Sequence, residues 1–96
     1  MKCYRLYVCA RTGHDESNLD DDEAIAAAVA ARFESFTMTR ATGWFHGRRE
    51  PVCIVMVATD DEAAVVELAR QLRQAMDQEG VGVQCDGTYR RITANI

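Results

Sequence analysis

The sequence predicts an α+β fold of the ferredoxin-like kind, with the element order β-α-β-β-α-β. Three observations predict it: strand-like alternation near both ends, two segments with helical apolar spacing, and one continuous apolar run between them. The chain has 96 residues, which is enough for one hydrophobic core, so residues 1–96 form a single predicted domain. Right-handed crossovers and a central hairpin then predict a four-stranded antiparallel sheet, in the order 4-1-3-2, with both helices on one face.

The first half of the pattern begins with alternating residues over 3–11, which predict the first strand. The first helix is predicted to start within residues 19–23, where Asp20 can cap the helix and Glu23 follows three residues later. Acidic residues there also suit the positive end of the helix dipole. The apolar positions that follow have helical spacing and form one stripe: Ile25, Val29, Phe33 and Phe36.

The middle of the chain predicts two strands joined by a hairpin. Residues 37–45 are rich in threonine, methionine and aromatic residues, and Gly43 within them suggests a bulge or a close backbone approach. Residues 46–50 are predicted to form the hairpin loop, and Pro51 to begin the third strand. Residues 52–58 are apolar on both faces, which is typical of an interior strand covered on both sides.

The second helix is predicted to begin with a capping box at residues 59–62 and to stop at Gly80. Residues 81–85 alternate as a last strand, Gly87 is a break, and residues 88–92 are a further extended piece. The helix buries a stripe of four apolar positions: Val65, Leu68, Leu72 and Met76.

Charge and cysteine content limit the function classes. The net charge of −4 argues against general nucleic-acid binding, and ten of the eleven basic residues are arginine, which leaves a local anion site open. The longest apolar stretch, residues 24–31, is far shorter than the ~20 residues of a membrane span, and the chain starts without a signal-like segment, so we expect a cytoplasmic protein without membrane contact. Cys3 and Cys9 lie about 20 Å apart on one strand, too far to share a zinc ion, and we predict no metal, cofactor or disulfide.

Helices on one side of the sheet leave the opposite face, here called the open face, without cover. We place on it two alternating sets: Cys3, Arg5, Tyr7 and Cys9 from the first strand, with Cys53, Val55 and Val57 from the third. The second strand adds either Met38, Arg40 and Trp44 or Thr39, Ala41 and Phe45. Such an apolar face predicts self-association as a homodimer or homotrimer, with a ligand or RNA platform as the alternative.

Residues 44–50 contain the most unusual chemistry of the chain, and we single out five of them as a candidate ligand site: Trp44, His46, Arg48, Arg49 and Glu50. Guanidinium groups bind phosphate or carboxylate oxygens in pairs, and a neighbouring tryptophan can stack on a ring. These residues predict a site for a small anionic ligand such as a nucleotide. The alternative is that the two arginines are solvated at the hairpin tip, with the glutamate paired to one of them. No residue is predicted to be catalytic.

The layout resembles that of the small trimeric PII-like and CutA-like proteins. In those families the loop between strands two and three, here residues 46–50, and the turn before strand four, here residues 80–82, approach ligands at subunit clefts. Residues 33–85 are also similar to small uncharacterised bacterial and prophage proteins, on Gly43–Glu50 (Gly-Trp/Tyr-aromatic-x-Gly-x-x-Glu) and on the Gln78–Val81 turn. That second resemblance implies no activity, but it suggests that Glu50 meets residues 78–79 at one end of the sheet.

Together these patterns predict a non-enzymatic, homo-oligomeric module of the PII-like sensor type that binds a small anionic ligand or a protein partner. One alternative is a small enzyme of the dimeric α/β-barrel kind, with a cavity between subunits and His46 as its acid or base. Another is a phage-encoded protein that acts by occupying a partner's surface.

Overall fold

The computed structural model describes residues 1–9 and 19–94, which form five strands and two helices. The strands make one antiparallel sheet in the order β2-β3-β1-β4-β5, so the α+β class is confirmed and the predicted four-stranded sheet gains a fifth strand. The elements are β1 (Lys2–Cys9), α1 (Leu19–Ala30), β2 (Thr37–Phe45), β3 (Arg48–Thr59), α2 (Glu62–Ala75), β4 (Gly80–Cys85) and β5 (Thr88–Thr93).

Strand β5 is the extended piece predicted after Gly87, and it pairs with β4 along its whole length. The relative order of the other four strands is the predicted one. The part of the first strand predicted beyond Cys9, residues 10–11, lies outside the described residues. None of the helices in the described ranges combines the length and the apolar character that crossing a membrane would need.

Both hairpins of the sheet close with two-residue turns. His46 and Gly47 have φ values of 51° and 76°, and Asp86 and Gly87 have 50° and 78°, which is the left-handed pair that a type I′ turn requires. The predicted loop over residues 46–50 is therefore too long, because β3 already begins at Arg48. The short turn aligns β2 and β3 without a break through residues 37–45.

Gly43 marks a close approach between strands, and the alternative prediction of a bulge is wrong. It pairs with Glu50 in an unbroken register. A Cβ atom at this position would lie 3.0 Å from Cγ2 of Val52, so a larger residue would push against the neighbouring strand. Pro51, predicted to begin the third strand, lies inside it instead.

The hydrophobic core lies between the sheet and the two helices. Directly opposite residues of antiparallel strands share a face, and three buried pairs of β1 and β3 build the helix-covered face: Tyr4–Val57, Leu6–Val55 and Val8–Cys53. The prediction that Cys53, Val55 and Val57 lie on the open face is therefore wrong. Their neighbours in sequence, Ile54 and Met56, lie on the open face opposite Tyr7 and Arg5.

Helix α1 is shorter than predicted. It starts at Leu19, so Asp20 lies within its first turn rather than capping it, and it ends at Ala30. Ile25 and Val29 are buried in the core. The other two members of the predicted stripe, Phe33 and Phe36, follow the helix in the connection to β2, half-buried against the same core.

Helix α2 has the predicted buried stripe but a different cap. Asp61 is the N-cap residue, and its Oδ1 accepts a hydrogen bond of 3.0 Å from the backbone N–H of Ala64. Thr59, predicted to be the cap, instead accepts a bond of 3.1 Å from the N–H of Asp61. Val65, Leu68, Leu72 and Met76 are all buried, so the apolar stripe is confirmed.

Helix α2 ends at Ala75, before the predicted stop at Gly80, because the chain turns left-handed at Asp77, where φ is 52°. The N–H of Gln78 bonds to the carbonyl of Arg73 at 2.9 Å, and the N–H of Asp77 bonds to that of Gln74 at 3.2 Å. This pair of bonds is a Schellman motif with aspartate at the position that favours glycine.

Replacing Asp77 with glycine is expected to stabilise the domain by about 0.5–1 kcal/mol, because glycine adopts this backbone conformation without steric cost. The midpoint of urea unfolding measures the effect. Asp77→Ala, which keeps the Cβ atom and loses the polar side chain, should lower the midpoint. A lower midpoint for Asp77→Gly would contradict the proposed end of the helix.

Candidate functional site

The open face of the sheet contains a cleft of about 470 Å³. Its floor comes from β1 and β3, chiefly Tyr7, Cys9, Val52 and Ile54, and residues of β5 form one wall. The opposite side comes from the β2–β3 hairpin, and residues 78–79 together with Gly80, the first residue of β4, form one end. The volume is in the range of pockets that bind small organic molecules.

Two glycines on β4 shape the wall of this cleft. Gly80 and Gly82 lie on the open face beside β5, and the side chains of Arg91 and Tyr89 lie across them. A Cβ atom at Gly82 would collide with the phenol of Tyr89, and one at Gly80 would come within 2.5 Å of Nε of Arg91. Because glycine has no side chain, both β5 residues can lie flat against the backbone of β4.

Two tyrosine rings form the aromatic part of the cleft. Tyr7 is half-buried, and its hydroxyl donates a hydrogen bond of 2.6 Å to Oε1 of Gln84. The ring of Tyr89 lies 6.2 Å from that of Tyr7, with an angle of 56° between the planes, and Tyr89 remains 56% exposed. Tyr7 is thus held in place, while Tyr89 presents an accessible ring face to a ligand.

The centre of the cleft contains a thiol, a carboxylate and a guanidinium. Burial raises the pKa of the Cys9 thiol, the charge of Glu50 and a hydrogen bond to that carboxylate raise it further, and Arg91 opposes this shift. Cys9 therefore keeps its proton at neutral pH and is a poor nucleophile. On the opposite face, burial raises the pKa of Cys53 to about 11, so that thiol is inert as well.

The structure brings together three of the five predicted site residues. Trp44, His46 and Glu50 all border the cleft. The register gives the open face the set Thr39, Ala41 and Phe45, so the exposed Trp44 side chain projects from the opposite face, as Met38 does. Arg48 and Arg49 lie outside it, exposed in the first residues of β3. The ligand contacts predicted for these five side chains remain a prediction.

Glu50 lines the same cleft as Gln78 and Glu79, and the suggested direct meeting of these residues remains a prediction. Sequence reasoning missed Tyr89 and Arg91, which have open-face positions on β5. The signal that could have found them is the alternation in residues 88–92 opposite Gly80 and Gly82. In residues 1–9 and 19–94, no three histidine, cysteine, aspartate or glutamate side chains are grouped as a metal site would need.

No family model matches the sequence, and no curated protein matches it either. Two solved structures share the fold over almost the whole chain. A phage SAM lyase in its apo state is 18% identical, with a TM-score of 0.72 over 99% of this chain and 90% of its own. A phage SAM lyase in complex with S-methyl-5′-thioadenosine is 19% identical, with a TM-score of 0.64 over 97% and 89%.

These comparisons correct the functional prediction. The predicted non-enzymatic module of the PII-like sensor type is overturned, because both similar structures are those of an enzyme. They favour the alternative of a small enzyme, and they agree with the predicted resemblance to prophage proteins, since both are phage proteins. At these identities, what the likeness establishes is a shared fold.

Proposed function

We propose that this chain is a small lyase that cleaves S-adenosylmethionine, or a close adenosyl sulfonium relative, and releases S-methyl-5′-thioadenosine. The observation that carries the proposal is the open-face cleft, which combines exposed aromatic rings with carboxylates in a space of about 470 Å³. The fold shared with the phage SAM lyases supports the same reaction class.

The aromatic wall suits the adenine ring. Stacking of a base on an aromatic side chain contributes about 1–3 kcal/mol per base. Tyr89 offers an exposed ring on β5, and the fixed ring of Tyr7 lies behind it. Phe45 lies on the open face and offers a second, partly exposed ring on the hairpin side. The nucleoside is therefore held between β5 and the β2–β3 hairpin.

The charges of the cleft suit a cation better than the anionic ligand expected from Arg48 and Arg49. Those two arginines lie outside the cleft, whereas Glu50 and Glu79 line it together with Arg91. A carboxylate beside a sulfonium distinguishes the charged substrate from a neutral thioether. Glu50 has this role, since its carboxylate lies beside Cys9 at the centre of the cleft.

The reaction makes modest chemical demands on the protein. Breaking the bond between sulfur and the γ-carbon of the amino-acid chain sends both electrons to sulfur, so the sulfonium cation becomes a neutral thioether. One oxygen of the substrate's own carboxylate bonds to that carbon as the bond to sulfur breaks, so the amino-acid fragment leaves as a lactone and the step balances without water or a protein base. Dispersal of this charge is favoured where water is scarce, and the apolar floor of Val52 and Ile54 provides such surroundings. A lyase does not use water as a reactant, so the required side chains are those that bind and orient the substrate.

The test is to incubate the purified protein with S-adenosylmethionine and to follow S-methyl-5′-thioadenosine by liquid chromatography. At low substrate concentration, Glu50→Gln should lower the rate by about 10- to 100-fold, as expected for loss of a charged contact. Glu67→Gln, on the exposed surface of α2, is the matched control and should not change it. Absence of product with the native protein, or full activity of Glu50→Gln, would contradict the proposal.

A further inference from the structure

Beside its two tyrosine rings, the cleft contains a weak ion pair. A terminal nitrogen of Arg91 lies 3.8 Å from Oε2 of Glu79, and both side chains line the cleft. We propose that these two residues bind the amino-acid tail of the substrate, with Arg91 on its carboxylate and Glu79 on its ammonium. The assignment rests on the proposed function, and it adds which part of the substrate each residue recognises.

The first argument is the distribution of positive charge. Among the described residues that line the cleft, Arg91 is the one with a permanent positive charge. A substrate carboxylate placed elsewhere would face the apolar floor or another carboxylate, which costs free energy. A guanidinium also offers paired N–H groups that match the two oxygens of a carboxylate.

The second argument is the placement of the arginine side chain. It crosses Gly80, where a Cβ atom would come within 2.5 Å of Nε and 2.8 Å of Cγ of Arg91. The glycine backbone beneath it therefore gives the side chain a defined position on the β5 wall of the cleft. Less side-chain entropy is lost when a group placed in this way binds a ligand.

The third argument is that the existing ion pair is weak. Glu79 is 92% exposed and Arg91 is about half exposed, and an ion pair in water at 3.8 Å contributes little. The pair presents a positive and a negative group side by side, and an α-amino acid carries a carboxylate and an ammonium that complement them. Arg91 and Glu79 can therefore give up their mutual ion pair and each bind the opposite charge of the amino acid, so that no charge is left unpaired.

The experiment compares two ligands by isothermal titration calorimetry. S-adenosylhomocysteine has the amino-acid tail and is a neutral thioether, whereas S-methyl-5′-thioadenosine lacks the tail. Arg91→Ala should weaken S-adenosylhomocysteine binding by about 10- to 100-fold and should leave S-methyl-5′-thioadenosine binding within about twofold. Arg91→Lys keeps the charge without the paired donors and should give an intermediate loss.

Arg90→Ala is the matched control, because Arg90 is the next residue on β5 and pairs with Glu62 at 3.6 Å, outside the cleft. It should leave both affinities unchanged. The inference is overturned if Arg91→Ala weakens both ligands equally or neither of them, while the native protein still converts S-adenosylmethionine. If the native protein forms no S-methyl-5′-thioadenosine from S-adenosylmethionine, the proposed function itself fails and the tail assignment fails with it. If it forms the product but binds S-adenosylhomocysteine no more tightly than S-methyl-5′-thioadenosine, the tail assignment alone fails.

Discussion

Replacing Gly82 with valine should reduce S-adenosylmethionine cleavage by roughly 100-fold and leave the domain folded. A side chain at this position would occupy the space that the phenol of Tyr89 now fills. Because Tyr89 is on an edge strand and more than half exposed, its ring can swing into solvent at little cost to the fold. The variant loses one stacked aromatic ring, which is worth about 1–3 kcal/mol, and the valine side chain occupies part of the space for the substrate. These two losses account for the size of the effect.

The measurement is product formation, with circular dichroism and thermal melting to show that the variant folds. Ala58→Val adds similar bulk to β3 outside the cleft, and it should leave the rate unchanged. Tyr89→Ala should reproduce much of the loss, and adding Gly82→Val to it should then have a smaller effect than in the native protein. Near-native activity of Gly82→Val would show that the Tyr89 wall does not contact the substrate.

Truncating Leu68 to alanine should destabilise the domain by about 2–5 kcal/mol. Leu68 has no exposed surface and lies on the buried side of α2, where it closes the core against the sheet. A domain of this size has a total stability of about 5–15 kcal/mol, so the loss is a large part of it. The midpoint of thermal unfolding should fall by about 4–8 °C for each kcal/mol.

Val66→Ala is the control on the same helix, because Val66 is half-buried and lies beside the buried stripe. It should cost less than about 1 kcal/mol. Similar losses for the two variants would contradict the described orientation of α2, in which Leu68 and Leu72 face the sheet.

The elements with strong local signals could be predicted from the sequence. Residues 37–45 form β2 as predicted, and the four-residue stripe of α2 is buried. The prediction of Thr59 as the cap of that helix is wrong, because Thr59 and Asp61 both suit the position. Local spacing does not decide between two nearby side chains that can each accept a bond from the first N–H groups.

The faces of β3 and the cleft could not be predicted, because they depend on pairing between distant strands. A strand with apolar residues on both faces has no alternation to orient it, so only its register with β1 assigns Val55 to the core and Ile54 to the open face. The site joins Tyr7 with Tyr89 and Arg91, and these meet only when β4 and β5 are placed beside β1. Because the sequence alone does not assign a partner strand to residues 88–92, the predicted site residues all come from the β2–β3 hairpin.

The outermost position of β5 ties affinity to the local stability of the sheet. Within the sheet this strand pairs with β4 alone, and an edge strand opens at a lower free energy than the central pair β1 and β3. Opening of β5 would remove the Tyr89–Arg91 side of the cleft at the cost of the Ile92 contact with the core and the Arg90–Glu62 ion pair. A ligand that contacts this side binds only while β5 is paired, so its binding free energy also stabilises β5 against opening. For the same reason, a substitution that destabilises the β4–β5 hairpin should lower the apparent affinity even where it does not touch the ligand.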